Sequence, residues 1–387
     1  MSAEPATPTV DVLTDAYERN LRALKECAIV DGPTTGWGTW ETDAVGNPTV
    51  LRADRISLYD GNAGIAWAMS RLGEAAAPAG VGSAEEGLLG GRTGIDFASG
   101  SLGRISFDHR GFDLGDGLAG DLLALVRTHS ADEDAVRGLV AGLQAAARWD
   151  AGGACWPDPR EASIARPLCG LAHGASGIAL ALAEAALAYP SVADAATRLV
   201  AAALRWEGAW FNPVAGGWPD LRDSNEGGYP VMWCHGAAGI AAVRLRLLQA
   251  VRAGLVLDYP VEAIAAEAHA GVLACGKSLT GAVRTAREYG FESVPGGLTL
   301  CHGMGGPLDV LVLAAKVWEL PQHLDAARRI ASDLVSLAPD DPMEWPSGLR
   351  KGDSLGLFVG TAGTALLLAR LIDPVTVRCL SLLDTER

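Results

Sequence analysis

Three copies of one short motif decide how this chain is read: Ala172-His173-Gly174-Ala175-Ser176-Gly177-Ile178, Cys234-His235-Gly236-Ala237-Ala238-Gly239-Ile240 and Cys301-His302-Gly303-Met304-Gly305-Gly306-Pro307. Weaker copies lie on either side: Tyr59-Asp60-Gly61-Asn62-Ala63-Gly64-Ile65, Gly115-Asp116-Gly117-Leu118-Ala119-Gly120-Asp121 and Val359-Gly360-Thr361-Ala362-Gly363-Thr364. With the first aligned Gly as marker, the copies stand at 61, 117, 174, 236, 303 and 360, separated by 56 to 67 residues. Recurrence at a nearly fixed spacing is the sequence mark of a repeated structural unit.

Each motif is followed by strong helix formers that are apolar on most sides, such as Leu122-Leu123-Ala124-Leu125-Val126 and Ala365-Leu366-Leu367-Leu368. Such helices are buried on more than one face. Between motifs, residues 135–149, 191–206 and 322–338 carry the 3.6-residue apolar period of surface helices. Runs alternating with period two are few, so strands should be scarce. The unit is outer helix, glycine loop, inner helix. It is longer than the ~33–47 residues of common solenoid repeats, and its loops carry Gly, Trp and His. The expected fold is all-α: one α/α toroid of six or seven helical hairpins over residues 1–387, with residues 1–9 flexible. The stretches 80–110 and 210–229 are expected to be long loops framing a cleft or an interface.

Composition narrows the function. The 387 residues are 49% hydrophobic and 20% charged, with 46 acids against 31 bases and a net charge of −15. That is a folded chain, and the acidic balance argues against nucleic acid and against a polybasic membrane anchor. Met1 to Pro5 lack the features of a secretory signal, and the greasiest stretch, 177–189, is interrupted by Glu184. It falls short of the ~20 apolar residues that span a bilayer. A cytoplasmic location follows, whether free or in a membrane-associated complex. Seven scattered Cys then read as reduced thiols, with any cluster pointing to metal or catalysis.

The residue before the marker is Asp60, Asp116, His173, His235, His302 and Val359 in turn. Side chains at one register of a closed ring meet around one cavity. Asp at this place also reads as a helix cap, whereas His is not a preferred cap. Cys234 and Cys301 directly precede two of the histidines. One such Cys alone reads as a buried thiol, but two in register with a histidine match a Cys₂His zinc site. Three protein ligands leave a fourth position open, as catalytic zinc requires. Cys27, Cys155, Cys169, Cys275 and Cys379 lack such neighbours and read as packing residues, with Cys169 the nearest to the cavity.

Ala-His-Gly, Trp-Cys-His-Gly and Cys-His-Gly on Gly-x-x-Gly loops resemble the lanthionine synthetase C-like (LanC-like) cyclases from about Leu58 to Leu371. The resemblance implies an α/α toroid with one zinc per chain held by Cys234, Cys301 and His302. It implies Michael-type addition of peptide Cys thiolates to dehydroalanine or dehydrobutyrine, forming (methyl)lanthionine thioether rings. The family's active-site histidine falls on His173 and its aspartate on Asp113, with His235 the second acid–base candidate. Some members carry an Arg four residues before the first zinc Cys, where this chain has Pro230; Arg222 is the candidate replacement, or else a surface residue. The implied partners are a dehydrated precursor peptide and a separate dehydratase, since nothing in the chain resembles one. The alternative is a zinc toroid that binds thiols or peptides, as glutathione-binding relatives do, without closing rings. A prenyltransferase-like toroid would want an Asp-Cys-His set and an aromatic-rich pocket, and a glycosidase-like barrel would want paired carboxylates.

Overall fold

The first turn of a helix leaves amides without partners, and here the glycine loops supply the missing carbonyls. Ala175 N donates to Leu168 O, Gly177 N to Gly170 O, Ala237 N to Pro230 O and Thr361 N to Ser354 O, each carbonyl seven residues earlier. Gly61, Gly117, Gly174, Gly236 and Gly360 cap their helices with no side-chain hydrogen bond. Asp60 and Asp116 are therefore not caps, contrary to one reading of the sequence. Asp60 instead accepts from Arg55 and Ser57, and Asp116 accepts from the Gly90 amide.

The structure, a computed structural model, describes residues 9–42, 48–76, 87–100, 102, 105, 111–157, 166–222, 228–349 and 354–384. Its helices are α1 (Thr9–Glu26), α2 (Asn62–Arg71), α3 (Arg92–Ser99), α4 (Leu118–Arg127), α5 (Glu133–Ala146), α6 (Ala175–Ala188), α7 (Ala193–Gly208), α8 (Ala237–Arg252), α9 (Val261–Tyr289), α10 (Gly305–Trp318), α11 (Gln322–Val335) and α12 (Thr361–Ile372). Among the described residues, strands form only three antiparallel hairpins: Ala28–Asp31 with Thr34–Trp37, Thr39–Thr42 with Pro48–Arg52, and Arg148–Asp150 with Gly153–Cys155.

Seven helices (α2, α3, α4, α6, α8, α10 and α12) form an inner ring, and α1, α5, α7, α9 and α11 pack outside it. Burial separates the two layers. Every residue of α6 from Ala175 to Ala186 is buried, whereas α11 buries only Ala327, Ala331, Leu334 and Val335 along one stripe. This is the α/α toroid expected from the repeats. The stretch 80–110 is not simply a loop, because it contains α3. Leu88-Leu89-Gly90-Gly91-Arg92-Thr93-Gly94 is a further copy of the motif. Gly90 holds the place of Asp or His there, so the copy lacked the residue that flagged the others. Most of residues 1–9 lie outside the described residues, as do 223–227 of the second expected loop; its described part, 210–222, has no helix or strand.

Backbone hydrogen bonds close the ring at the motif end. Tyr59 N donates to Leu89 O (2.9 Å), Leu89 N to Gly115 O (2.7 Å), Gly115 N to Ala172 O (2.9 Å) and Ala172 N to Cys234 O (3.1 Å). The circuit continues from Trp233 N to Cys301 O (3.2 Å), Cys301 N to Phe358 O (2.9 Å) and Phe358 N back to Tyr59 O (2.9 Å). Neighbouring loops can approach this closely because the second motif glycine has no side chain. A Cβ on Gly177 would stand 2.0 Å from Leu171 O and 2.9 Å from Leu114 Cβ of the preceding repeat. At the other end, Glu184 of α6 pairs with Arg127 of α4 and Arg246 of α8.

Gly177→Ala should destabilise the fold by about 1–3 kcal/mol, the usual cost of overpacking. Gly276→Ala in α9, where a Cβ meets nothing within 4 Å, should stabilise it by about 0.5–1 kcal/mol. Urea denaturation of both variants checks the pair.

Candidate functional site

Cys234 and Cys301 are members of the closing circuit, from adjacent repeats, so the ring itself brings them together. His302 follows Cys301. One Sγ from each cysteine and one ring nitrogen of His302 lie within 4.8 Å of one another. Both thiols are buried, and His302 is half-buried. The His302 Nδ1–H donates to Gly348 O at 3.3 Å, which leaves Nε2 as the lone pair available to a metal.

Electrostatics shows what this cluster lacks. The Cys301 thiol, hydrogen-bonded to Cys234, holds the Cys234 pKa well below the ordinary thiol value against the effect of burial, and His302 adds to the lowering. Burial, then the neighbouring Cys234, pushes Cys301 well above that value. Two adjacent thiols cannot both ionise without a compensating cation. Two soft sulfurs and an imidazole are a donor set for zinc. Tetrahedral zinc would place its ligand atoms about 3.6–3.8 Å apart at ordinary bond lengths, which these atoms reach by a small contraction. The residues fit the metal.

The cluster opens on a cavity of about 680 Å³, which His173, His235, Arg222, Tyr59, Asp60 and Arg55 also line. His173 and Asp113 meet, Nδ1 to Oδ2, at 2.9 Å, and the His173 and His235 rings stack with centroids 5.4 Å apart. Burial works against charge on His173, but the hydrogen bond and charge of Asp113 outweigh it and raise its pKa. Burial pushes His235 the other way, to about 4. Arg222 lines the cavity while remaining exposed, held by Asp220 through Nε (3.0 Å) and Nη2 (2.6 Å). Pro230 contributes only backbone: its carbonyl accepts from Ala237 N, and the positive φ of Gly236 (100°) lets the chain pass over it.

Sequence reasoning missed Arg55, a second guanidinium on the cavity wall, which pairs with Asp60 (Nη2 to Oδ2, 2.7 Å). The available signal was the register: Asp60 aligns with the three histidines, so its partner had to lie at the same rim. Tyr59 was missed likewise, although it aligns with Cys234 and Cys301. Cys169 is buried in the loop before His173, while Cys379 donates to Asp309 from the segment after α12 instead of packing within a helix.

A ring of seven inner helices with a thiol–imidazole cluster at one mouth defines the class: a helical toroid with a candidate metal centre. The profile of the lanthionine synthetase C-like protein family matches residues 47–383, and the chain belongs to that family. Among solved structures, nisin cyclase superposes with a TM-score of 0.56 over 96% of this chain and 97% of that chain, at 13% identity, a likeness of fold. No curated protein sequence matches. Among the described residues, no helix is long and apolar enough to cross a membrane.

In the zinc-free protein the two stacked histidines should titrate apart, His235 near pH 4 and His173 above the usual histidine value. Asp113→Asn should lower the His173 value, because it removes the group that favours the imidazolium. NMR of ¹³C-labelled histidine checks both, with His173→Asn and His235→Asn supplying the assignments.

Proposed function

We propose that this protein is a zinc-dependent lanthipeptide cyclase. It adds the Cys thiolates of a dehydrated precursor peptide to dehydroalanine or dehydrobutyrine and forms (methyl)lanthionine rings. It acts in the cytoplasm, free or in a membrane-associated complex, after a separate dehydratase. One observation carries the reading: Cys234, Cys301 and His302 converge at the floor of a cavity whose walls hold an Asp-paired histidine and two guanidiniums.

The chemistry asks four things of the site. A thiol must lose its proton, sulfur must bond to the β-carbon, the alkene electrons must move toward the carbonyl as an enolate, and the α-carbon must take a proton. A free thiol is only a few per cent ionised near neutrality; zinc held by Cys234, Cys301 and His302 supplies the charge that lowers the pKa of a substrate thiol reaching it. The cavity then orients sulfur against alkene, the larger source of rate in such additions. His173 commits Nδ1 to Asp113 and lines the cavity, and its raised pKa favours the protonated form. It serves as the acid that protonates the α-carbon. The thiol proton leaves to solvent through the open cavity; His235, whose pKa of about 4 keeps it neutral and weakly basic, lines that path. Arg222 and Arg55 offer donors to the enolate oxygen, in the role that Pro230 cannot fill.

Purified protein incubated with a dehydrated precursor should consume free peptide thiols, measured by alkylation and mass spectrometry. Cys301→Ala should lose zinc and ring closure together. His173→Asn should keep zinc and slow ring closure by about 10²–10⁴-fold, the usual worth of a general acid. Unchanged thiol content with the zinc-loaded wild type would replace the cyclase by the thiol- or peptide-binding reading.

A further inference from the structure

Behind the cavity wall lies a buried charge cluster that the proposed chemistry does not use. Glu207, at the end of α7, and Arg244 of α8 have side chains with no exposure and pair at 2.8 Å. Glu207 Oε1 accepts the amides of Gly170 (2.9 Å) and Ser176 (3.2 Å), the two flanks of the loop that presents His173. Its Oε2 accepts the Ser176 hydroxyl, which in turn accepts from Arg244 Nη1 at 3.1 Å. Arg244 is fixed from behind by Glu267 at 2.6 Å.

The same residue reaches a second loop. The Glu207 carbonyl accepts the indole N–H of Trp218 at 3.1 Å; Trp218 is fully buried and packs on Phe211, ring centroids 4.9 Å apart. Two and four residues on are Asp220 and Arg222, the pair on the cavity wall. The His173 loop also rests on the metal-ligand loop: Gly170 passes so close that a Cβ would stand 2.7 Å from Cys234 O, and Ala172 N donates to that carbonyl.

We infer that Glu207 is a positioning residue, which through one carboxylate and one carbonyl sets the His173 loop and the Arg222 loop against each other across the cavity. The inference rests on the cyclase reading for its effect on rate but not for its effect on the loops. A buried ion pair is a weak source of stability, and apolar residues of similar volume commonly replace one without loss. What they cannot replace is the acceptor for two buried loop amides. Stability and positioning therefore separate in a pair of double variants. Glu207→Leu with Arg244→Met removes the acceptor and both charges. Glu207→Gln with Arg244→Met keeps an amide oxygen for Gly170 N and Ser176 N. A single Glu207→Ala would strand a buried arginine and report only misfolding.

The experiment compares the two double variants with wild type, as zinc-loaded full chains. The readouts are hydrogen exchange of segments 168–176 and 217–222, zinc content, and kcat and KM on a dehydrated precursor. Glu207→Leu/Arg244→Met should stay folded with one zinc per chain, its melting temperature lowered by a few degrees for the two amides left without an acceptor. Exchange should rise in 168–176 but not in 217–222, whose Trp218 bond to the Glu207 main-chain carbonyl survives the substitution, and kcat should fall about 10–100-fold, the usual effect of losing a group that orients an active-site residue, with little change in KM. Glu207→Gln/Arg244→Met should restore slow exchange in 168–176 and most of kcat. Wild-type exchange in 168–176 of the leucine variant, or a glutamine variant no better than it, would overturn the inference. Should the wild type close no rings, the cyclase reading falls while the exchange comparison still decides the role of Glu207.

Discussion

Seven backbone hydrogen bonds running once around the motif end of the toroid are the constraint on which everything else rests. Each joins one glycine loop to the next, and the last, Phe358 N to Tyr59 O, returns to the first. Buried backbone groups must find partners, and these loops find them only in a neighbouring repeat. The ring is therefore completed by contacts between residues about 300 positions apart in the chain. The glycines are the condition for that approach, since a methyl group at Gly177 would strike a carbonyl and the preceding repeat at once.

Chemistry follows from position in the circuit. Tyr59, Leu89, Gly115, Ala172, Cys234, Cys301 and Phe358 are equivalent members of it, and the residues after them face a common mouth. Two cysteines at successive members become neighbours without any special loop to join them. At the next register His173 and His235 stack, and Asp116 follows on the loop beside His173. The floor beneath is filled by the aromatic series Tyr59, Phe358 and Trp233. Trp233, next to Cys234, is pinned from below by Ser381 O, and Ser381 N is held by Asp309 of α10. The segment after α12 thus plugs the lower ring and braces the loop that carries Cys234.

Much of this was legible in the sequence because a ring of repeats turns register into geometry. The marker spacing gave the inner helices, and the residue before each marker gave the side of the mouth to which Cys234, Cys301, His173, His235 and His302 belong. What escaped was whatever carried no chemical flag. The seventh inner helix follows Gly90-Gly91, with no Asp or His to reveal it. Asp60 and Asp116 stayed ambiguous because a cap and a cavity residue look alike in sequence, until backbone carbonyls seven residues upstream were seen to do the capping. Arg55 and Glu207 matter through partners far off or out of register, and periodicity does not report such contacts.

The central claim is a pair of sulfurs and one imidazole holding a zinc ion with a coordination position open to substrate. X-ray absorption at the zinc edge tests it most directly, on the protein alone and again with a thiol-bearing peptide. The account predicts two sulfurs at ~2.3 Å with nitrogen or oxygen at ~2.0 Å, rising to three sulfurs when the thiol is added. A closed four-sulfur shell, or a zinc site without sulfur, would contradict it.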